Sequence, residues 1–178
     1  MTLTRKWTCV LAATASLLAG TATAGQLDLI VNGRSYHADT DHEWNESNYG
    51  LGVEYHFDSD SPWIWSANAN AFIDSVENMS YMAGGGLRRR LFESGGQHGI
   101  YFDVGVNAFL MARKDVNDYL PFPGILPTIS TGTRNLGINL TYLPAFASRE
   151  LVQSNVSNPD IGGVFFVQFR FRLNGRGD

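Results

Sequence analysis

The segment Ile100-Tyr-Phe-Asp-Val-Gly-Val-Asn-Ala-Phe-Leu110 alternates between apolar and more polar side chains along nearly its whole length. A period of two places successive side chains on opposite faces of a β-strand, and it does not fit a helix. At about 11 residues the segment is also long enough to cross a bilayer at a tilt. Its wholly apolar face is formed by Ile100, Phe102, Val104, Val106, Ala108 and Leu110.

Seven further segments share this alternation, so the sequence predicts eight strands. The fourth contains Gly84-Gly85-Gly86, which we expect to interrupt it, and ends in Arg88-Arg89-Arg90, which we expect to be a solvated strand end. A proline-rich segment precedes the sixth strand. Prolines belong at an edge or a break in a sheet, so we expect an edge or a break there. Residues 148–160 are polar and predict a loop. The other strands are predicted at residues 26–37, 49–57, 63–72, 136–142 and 165–173, and the fourth at 79–92.

Eight strands with one apolar face each fit a soluble sandwich or an all-β, eight-stranded antiparallel transmembrane β-barrel. The barrel is favoured because the fifth and eighth strands are long enough to span a bilayer, and because Trp, Tyr and Phe gather at strand ends as in an aromatic girdle. The interior of such a barrel holds side chains or one small ligand. Room for an apolar slot is predicted at the inward-facing glycines Gly84, Gly86, Gly105 and Gly137.

The first 24 residues have the layout of a secretory signal peptide. Arg5 and Lys6 precede an apolar run, and Ala22-Thr23-Ala24 follows it as a small-residue cleavage site. We therefore expect residues 1–24 to be removed and residues 25–178 to form a single domain. The run is too short for a comfortable membrane span, and its Cys9 is not placed for lipid attachment. The mature chain then contains no cysteine, so no disulfide framework is expected.

Charge and side-chain spacing exclude several classes of function. Loss of the two leader cations lowers the net charge from −4 to −6, which argues against a nucleic-acid partner. No histidine pair has the spacing of a zinc motif, so we expect no metal and no cofactor. His42, His56 and His98 are predicted to be surface residues.

An Asp-Ser pair, Asp74 and Ser75, is predicted at the tip of the third strand. Taken alone, such a pair is typical of a solvated turn or cap. His37, at the end of the first strand, would by itself be an ordinary loop histidine.

A set of motifs, in order along nearly the whole mature chain, resembles the PagP family of outer-membrane lipid A palmitoyltransferases. Each motif is weak alone, and the ordered set is specific. The motifs are Ser35-Tyr36-His37, Trp44-Asn45-Glu46, Gly50-x-Gly52, Ala71-Phe72-Ile73-Asp74-Ser75, Ala83-Gly84-Gly85-Gly86, Ala112-Arg113, Asn117, Tyr119-Leu120-Pro121-Phe122-Pro123, Leu126-Pro127-x-x-Ser130 and Thr141-Tyr142-Leu143-Pro144.

The resemblance implies transfer of a palmitoyl chain from a phospholipid donor to lipid A, the acceptor, in the outer membrane of a Gram-negative bacterium. It identifies His37, Asp74 and Ser75 with the family's catalytic residues. Ester chemistry at neutral pH suits a histidine base, beside which a hydroxyl and a carboxylate could orient or relay the transfer. The resemblance leaves open whether Ser75 becomes acylated. We expect a monomer.

The resemblance also implies four substrate-binding residues. Gly86 matches the glycine at the floor of the family's interior acyl-chain pocket. Pro127 and Pro144 match prolines at a lateral gate, where a missing N–H weakens strand pairing. Arg113 matches an arginine at the rim that could contact lipid phosphate. This chain departs from the family at Asn48, where the family has a proline at its second gate, and in a shorter loop after His37.

Two other functions fit the same strand pattern. One is a non-enzymatic small barrel that serves structure or adhesion. The other is a related lipid A-modifying enzyme, such as a deacylase, which removes acyl mass where the transferase adds it.

Overall fold

The computed structural model describes residues 25–95, 99–152 and 162–173, with the backbone alone for 150–152. Described residues form eight strands, a short 3-10 helix at Asn117–Tyr119 and one α-helix, α1. The elements are β1 Gln26–Ala38, β2 Ser47–His56, β3 Trp63–Ile73, β4 Met79–Glu93, β5 Tyr101–Ala112, β6 Phe122–Gly132, β7 Leu136–Pro144, α1 Ala145–Val152 and β8 Gly163–Arg172.

Each strand pairs antiparallel with the next, and β8 pairs with β1, so the sheet closes into a barrel. This confirms the predicted eight-stranded antiparallel barrel, and the sandwich alternative is wrong. The predicted interruption at Gly84-Gly85-Gly86 is also wrong, because β4 pairs with both neighbours across all three glycines. Loss of a side chain does not remove the backbone N–H and C=O groups that form the ladder.

The two ends of the barrel differ. At the end we call the turn end, residues 57–62 and 133–135 connect strands, and β1 begins beside the last residues of β8. The opposite end, which we call the rim, carries the longer connections 39–46 and 113–121, the turn 74–78, and α1. The predicted loop at 148–160 is wrong in its first part, because α1 extends to Val152. Its Ala, Arg, Glu and Leu are good helix formers, a signal that the polar composition obscured.

The apolar face of β5 points away from the barrel interior. Val106 and Leu110 are exposed, whereas Tyr101, Asp103 and Phe109 on the other face are buried. Exposed aromatic side chains form two rings on the outside, as expected for girdles at the two interfaces of a membrane. Tyr36, Tyr49 and Tyr81 lie near the rim, and Phe57, Trp63, Trp65 and Phe92 lie near the turn end. Within the described ranges, no helix combines the length and the apolar character needed to cross a membrane.

The interior of the turn half is filled by a charge cluster, Asp28, Glu54, His56, Arg88 and Arg170. Arg88 Nη2 donates to Glu54 Oε1 at 2.8 Å. Arg170 Nη1 lies 2.8 Å from His56 Nε2 and 3.3 Å from Asp28 Oδ2. The prediction of a solvated end at Arg88 is wrong, because its side chain is only 3% exposed. His56 is likewise not a surface residue, whereas His42 is exposed as predicted; His98 lies outside the described residues.

Two inward glycines make room for this cluster and not for an apolar slot. A Cβ on Gly105 would lie 2.6 Å from Arg88 Cα, and one on Gly137 would lie 3.0 Å from Arg170 Nη2. A real Cβ essentially never shows the first distance and rarely shows the second, so a side chain here would crowd Arg88 or Arg170. These two glycines therefore serve the charged half of the interior.

Candidate active site

His37 lies at the rim, one residue before the end of β1, and is 8% exposed. Its ring stacks on Trp44, with centroids 5.4 Å apart and planes inclined by 20°. The short connection 39–46 folds back on β1, because Ser35 N donates to Glu46 O at 3.0 Å and Trp44 Nε1 donates to Thr40 Oγ1 at 3.2 Å. His37 is therefore held by packing, while its Nδ1 is buried without a hydrogen-bond partner.

Asn45 joins the His37 connection to the Asp-Ser pair. Its backbone N donates to Ser75 O at 3.1 Å, and its side-chain Nδ2 donates to Asp74 O at 2.9 Å. The structure thus brings the segments that carry the three predicted catalytic residues into direct contact at one point of the rim. Asn45 was part of a recognised motif, but its sequence alone gave no sign of this bridging role.

The Asp74 carboxylate is buried and fully engaged by its own turn. Oδ1 accepts from Val76 N at 3.0 Å and from Asn78 N at 2.9 Å, and Oδ2 accepts from Ser80 Oγ at 2.8 Å. An aspartate that caps a turn in this way fixes the backbone that follows it. Asp74 consequently positions the half-buried Ser75.

Arg113 faces carboxylates in this structure. Its Nε and Nη2 donate to Asp115 Oδ1 and Oδ2 at 3.0 and 2.8 Å, and its Nε lies 3.4 Å from Asp74 Oδ2. The guanidinium therefore ties the connection 113–121 to the Asp74 turn. A lipid phosphate would have to replace Asp115 as the partner of Arg113.

Two further polar residues, which sequence reasoning did not identify as site residues, lie in the rim half of the barrel, Ser35 on β1 and Asn48 on β2. Ser35 and Asn48 are each 3% exposed, and Ser35 Oγ and Asn48 Oδ1 are buried without partners. Asn48 Nδ2 donates to Ile73 O at 3.0 Å, next to the Asp-Ser pair. Unsatisfied buried polar atoms cost about 1–3 kcal/mol each, so a cluster of them is typical of a site that awaits a polar ligand. The spacing Ser35-x-His37, which puts both side chains on one face, could have revealed Ser35.

An apolar cavity of about 60 Å³ lies in the rim half of the barrel. Asn48, whose Oδ1 has no partner, borders it. Two methionines among its lining residues are flexible enough to yield to a longer occupant. Its apolar lining side chains are Phe72, Met82, Phe109, Met111, Leu126, Phe166 and Val167.

The barrel wall is open beside this cavity. β6 pairs with β5 over residues 122–132, but it pairs with β7 only over 128–132. The unpaired stretch lies between Pro127 on β6 and Pro144 on β7, and Leu126, next to Pro127, lines the cavity. The predicted weakness at these prolines therefore coincides with a lateral opening in the ladder between β6 and β7.

Gly86 lies elsewhere. It is buried, but it borders a separate cavity of about 20 Å³ whose lining includes Ser66, Asn107 and Arg88. A Cβ at this position would lie 2.6 Å from Ser66 Oγ. Across residues 25–95, 99–152 and 162–173, no group of His, Cys, Asp and Glu side chains could hold a metal ion.

The family model described as "Antimicrobial peptide resistance and lipid A acylation protein PagP" matches residues 19–167. The chain belongs to the PagP family. The lipid A acyltransferase PagP of Bordetella pertussis is 33% identical over 129 residues, which cover 67% of this chain and 68% of that protein. The protein of the same name from Laribacter hongkongensis is 36% identical over 111 residues, 61% of this chain and 51% of that one.

Among solved structures, the chain is similar to Neisserial surface protein A, with a TM-score of 0.42 and 9% sequence identity over 84% of this chain and 96% of that one. Membership of the PagP family relates the geometry of the rim to the motif residues of that family. The PagP motif residues His37, Asp74 and Ser75 lie at the same end of the barrel, where Asn45 joins the connection after His37 to the Asp-Ser pair. Pro127 and Pro144 flank one opening in its wall.

Proposed function

We propose that this PagP-family protein is an acyltransferase that moves a long acyl chain from a phospholipid to lipid A in the outer leaflet of a Gram-negative outer membrane. One observation carries the proposal: the opening between β6 and β7 leads into an apolar cavity directly below the rim that holds His37 and Ser75. A lipid chain can enter such a cavity sideways from the membrane without leaving an apolar environment.

The outer surface supports the membrane location. An apolar band between two aromatic rings suits a bilayer, and the sheet closes on itself because β8 pairs with β1. We accordingly retain a monomer, and a signal peptide at residues 1–24, as parts of the proposal.

The chemistry assigned to the rim is direct transesterification. The donor chain occupies the apolar cavity, which leaves its ester at the level of His37, Ser35 and Asn48. A hydroxyl of the lipid A acyl chain gives its proton to His37 while its oxygen bonds to the ester carbonyl carbon. The bond from that carbon to the glycerol oxygen then breaks, and His37 returns the proton to this oxygen. The products are acylated lipid A and a lysophospholipid.

Ser75 and Arg113 have supporting roles in the proposal. The Ser75 hydroxyl, held by the Asp74 turn, hydrogen-bonds the acceptor. Arg113 exchanges Asp115 for a lipid phosphate at the rim, since charge-assisted bonds to phosphate are strong. Family membership favours this transferase over a non-enzymatic barrel or a deacylase.

The test is mass spectrometry of lipid A from a Gram-negative host that lacks its own palmitoyltransferase. We expect the wild-type chain to add the mass of one acyl chain, and Ser75→Ala and His37→Ala to abolish the gain. Ser61→Ala, at an exposed position, is a matched control and should retain it. An unchanged lipid A with a folded barrel in the membrane would contradict the proposal, and a loss of acyl mass would indicate a deacylase.

A further inference from the structure

Five amide side chains cross the barrel interior between the apolar cavity and the charge cluster. We call this layer the amide belt, and its members are hydrogen-bonded to one another. Gln168 Nε2 donates to Asn32 Oδ1 at 2.6 Å, and Asn32 Nδ2 donates to Asn70 Oδ1 at 3.4 Å. Separately, Asn68 Nδ2 donates to Asn107 Oδ1 at 2.9 Å. The belt thus draws its members from β1, β3, β5 and β8.

The bond between Asn68 and Asn107 passes over β4 at its glycines. In the ladder, Asn68 lies opposite Gly84, and Asn107 lies opposite Gly86. Because neither glycine has a side chain, Asn68 of β3 can hydrogen-bond Asn107 of β5 across the strand that lies between them. The two amides therefore lie beside Gly86, in the lining of a cavity of only about 20 Å³.

The belt divides the interior into two cavities of different chemistry. The cavity on the rim side has the apolar lining, and Asn32, Asn107 and Gln168 of the belt border it. The cavity on the other side contains Gly86, together with Ser66, Glu54 and Arg88. Gly86 does not line the apolar cavity. An acyl chain that descends from the rim therefore meets the belt before it reaches Gly86.

We propose that the amide belt, and not Gly86, is the floor of the acyl-chain slot, and that this protein selects an acyl chain shorter than palmitoyl. The inference rests on the proposed function and specifies its substrate. An acyl chain that reached Gly86 would have to separate Asn68 from Asn107 and leave buried amides unpaired beside methylene groups, which is unfavourable.

The strand geometry gives the size of the effect. A slot that ends at the level of Gly84 is shorter than one that ends at Gly86 by two residues of β4. At the usual rise and tilt of a strand, this difference is about 5 Å along the barrel axis. This length corresponds to about four methylene groups at the usual spacing of an extended chain. We therefore expect lauroyl or myristoyl transfer to exceed palmitoyl transfer.

The experiment offers the full-length barrel an equimolar mixture of phosphatidylcholines with saturated chains from decanoyl to stearoyl, with lipid A as acceptor. Mass spectrometry identifies the chain that is added. We expect the wild-type protein to add a chain shorter than palmitoyl, with at least a tenfold preference over it. Gly86→Ala should leave this selection unchanged, since its Cβ would lie below the floor.

Opening the belt is the decisive change. Asn68→Ala with Asn107→Ala removes the crossing bond and should shift selection toward palmitoyl by about ten-fold. In that background, Gly86→Ala should shorten the selected chain again, because Gly86 then forms the floor. A wild-type preference for palmitoyl, together with a shortening by Gly86→Ala alone, would overturn the inference.

A second measurement keeps this inference separate from the proposed function. Native mass spectrometry of the wild-type barrel with an equimolar mixture of lysophosphatidylcholines, from decanoyl to stearoyl, identifies the retained chain length without any transfer. Retention of the shorter chains supports the belt as the floor even where no lipid A is acylated, which would contradict the proposed function alone. If retention rises steadily with chain length up to stearoyl, the amide belt is not the floor of the slot and the inference is overturned.

Discussion

The two halves of the barrel interior differ in the kind of polar group they bury and in how the wall around them is paired. In the turn half, Glu54, Arg88 and Arg170 are deeply buried and form ion pairs across strands, although the Nε atoms of both arginines have no partner. In the rim half, Ser35, His37 and Asn48 present buried polar atoms without partners and without ion pairs, and part of the wall between β6 and β7 is unpaired. Ion pairs thus stabilise one half of the molecule, whereas the other combines a polar site with an opening in the wall.

The largest expected effect comes from breaking the stable half. Arg88→Leu leaves Glu54 buried without its closest cation, and removal of one partner of a buried pair costs about 3–5 kcal/mol. We expect a loss of that size in the free energy of unfolding, measured by urea titration of the barrel in lipid vesicles. Arg89→Leu is the matched control, because Arg89 points outward. Equal stability of the two variants would contradict the comparison.

The two interior histidines should behave oppositely. His37→Ala should reduce acyl transfer about 100-fold or more, the usual contribution of a general base, with little change in unfolding. His56→Ala should lower stability, because Asp28 and Glu54 lose a partner, while the folded fraction keeps its activity. Transfer rates and urea unfolding curves of both variants test this. A loss of activity in folded His56→Ala equal to that of His37→Ala would remove the distinction.

The opening in the rim half can be closed by a disulfide, since residues 25–178 contain no cysteine. The β6–β7 register ends at Thr128 opposite Thr141, so its continuation would set residue 127 opposite 142. Oxidised Pro127→Cys/Tyr142→Cys should transfer acyl chains about ten-fold more slowly than its reduced form. The control Ile129→Cys/Leu140→Cys joins residues that are already paired and should be insensitive to oxidation. Equal rates of the oxidised and reduced gate variant, with the disulfide verified by mass, would place lipid entry elsewhere.

The smallest effect is expected at Asp74, whose role is to position Ser75. Asp74→Ala removes the acceptor of the Val76 and Asn78 amides, so transfer should fall several-fold and these two amides should exchange hydrogen faster. Asp74→Asn keeps one carbonyl acceptor and should recover part of both. Initial rates of acyl transfer, together with amide hydrogen exchange followed by mass spectrometry, test this prediction. Slower transfer with unaltered exchange would assign Asp74 a direct catalytic role.

The number of strands and their approximate positions were predictable because alternation is a local property of the sequence. The apolar face of β5 was read correctly as a strand face, but its sequence does not say whether that face points to a core or to lipid. Arg88 was misjudged for the same reason: three successive arginines are typical of a solvated end, and only barrel closure brings Glu54 from another strand to one of them. Nor could sequence place Gly86, since the amides above it come from β3 and β5.

The charge cluster also bears on how the barrel is assembled. Arg170 meets His56 across 114 residues of sequence and meets Asp28 only when the last strand joins the first. Until that moment the arginine has no anionic partner, and an unpaired charge is costly to move into a bilayer. Arg88 and Glu54 can pair without the last strand, but Arg170 and Asp28 cannot, so chain closure completes the neutralisation of the interior. The last strand therefore favours insertion of the complete barrel, because only the complete sheet pairs Arg170 with Asp28.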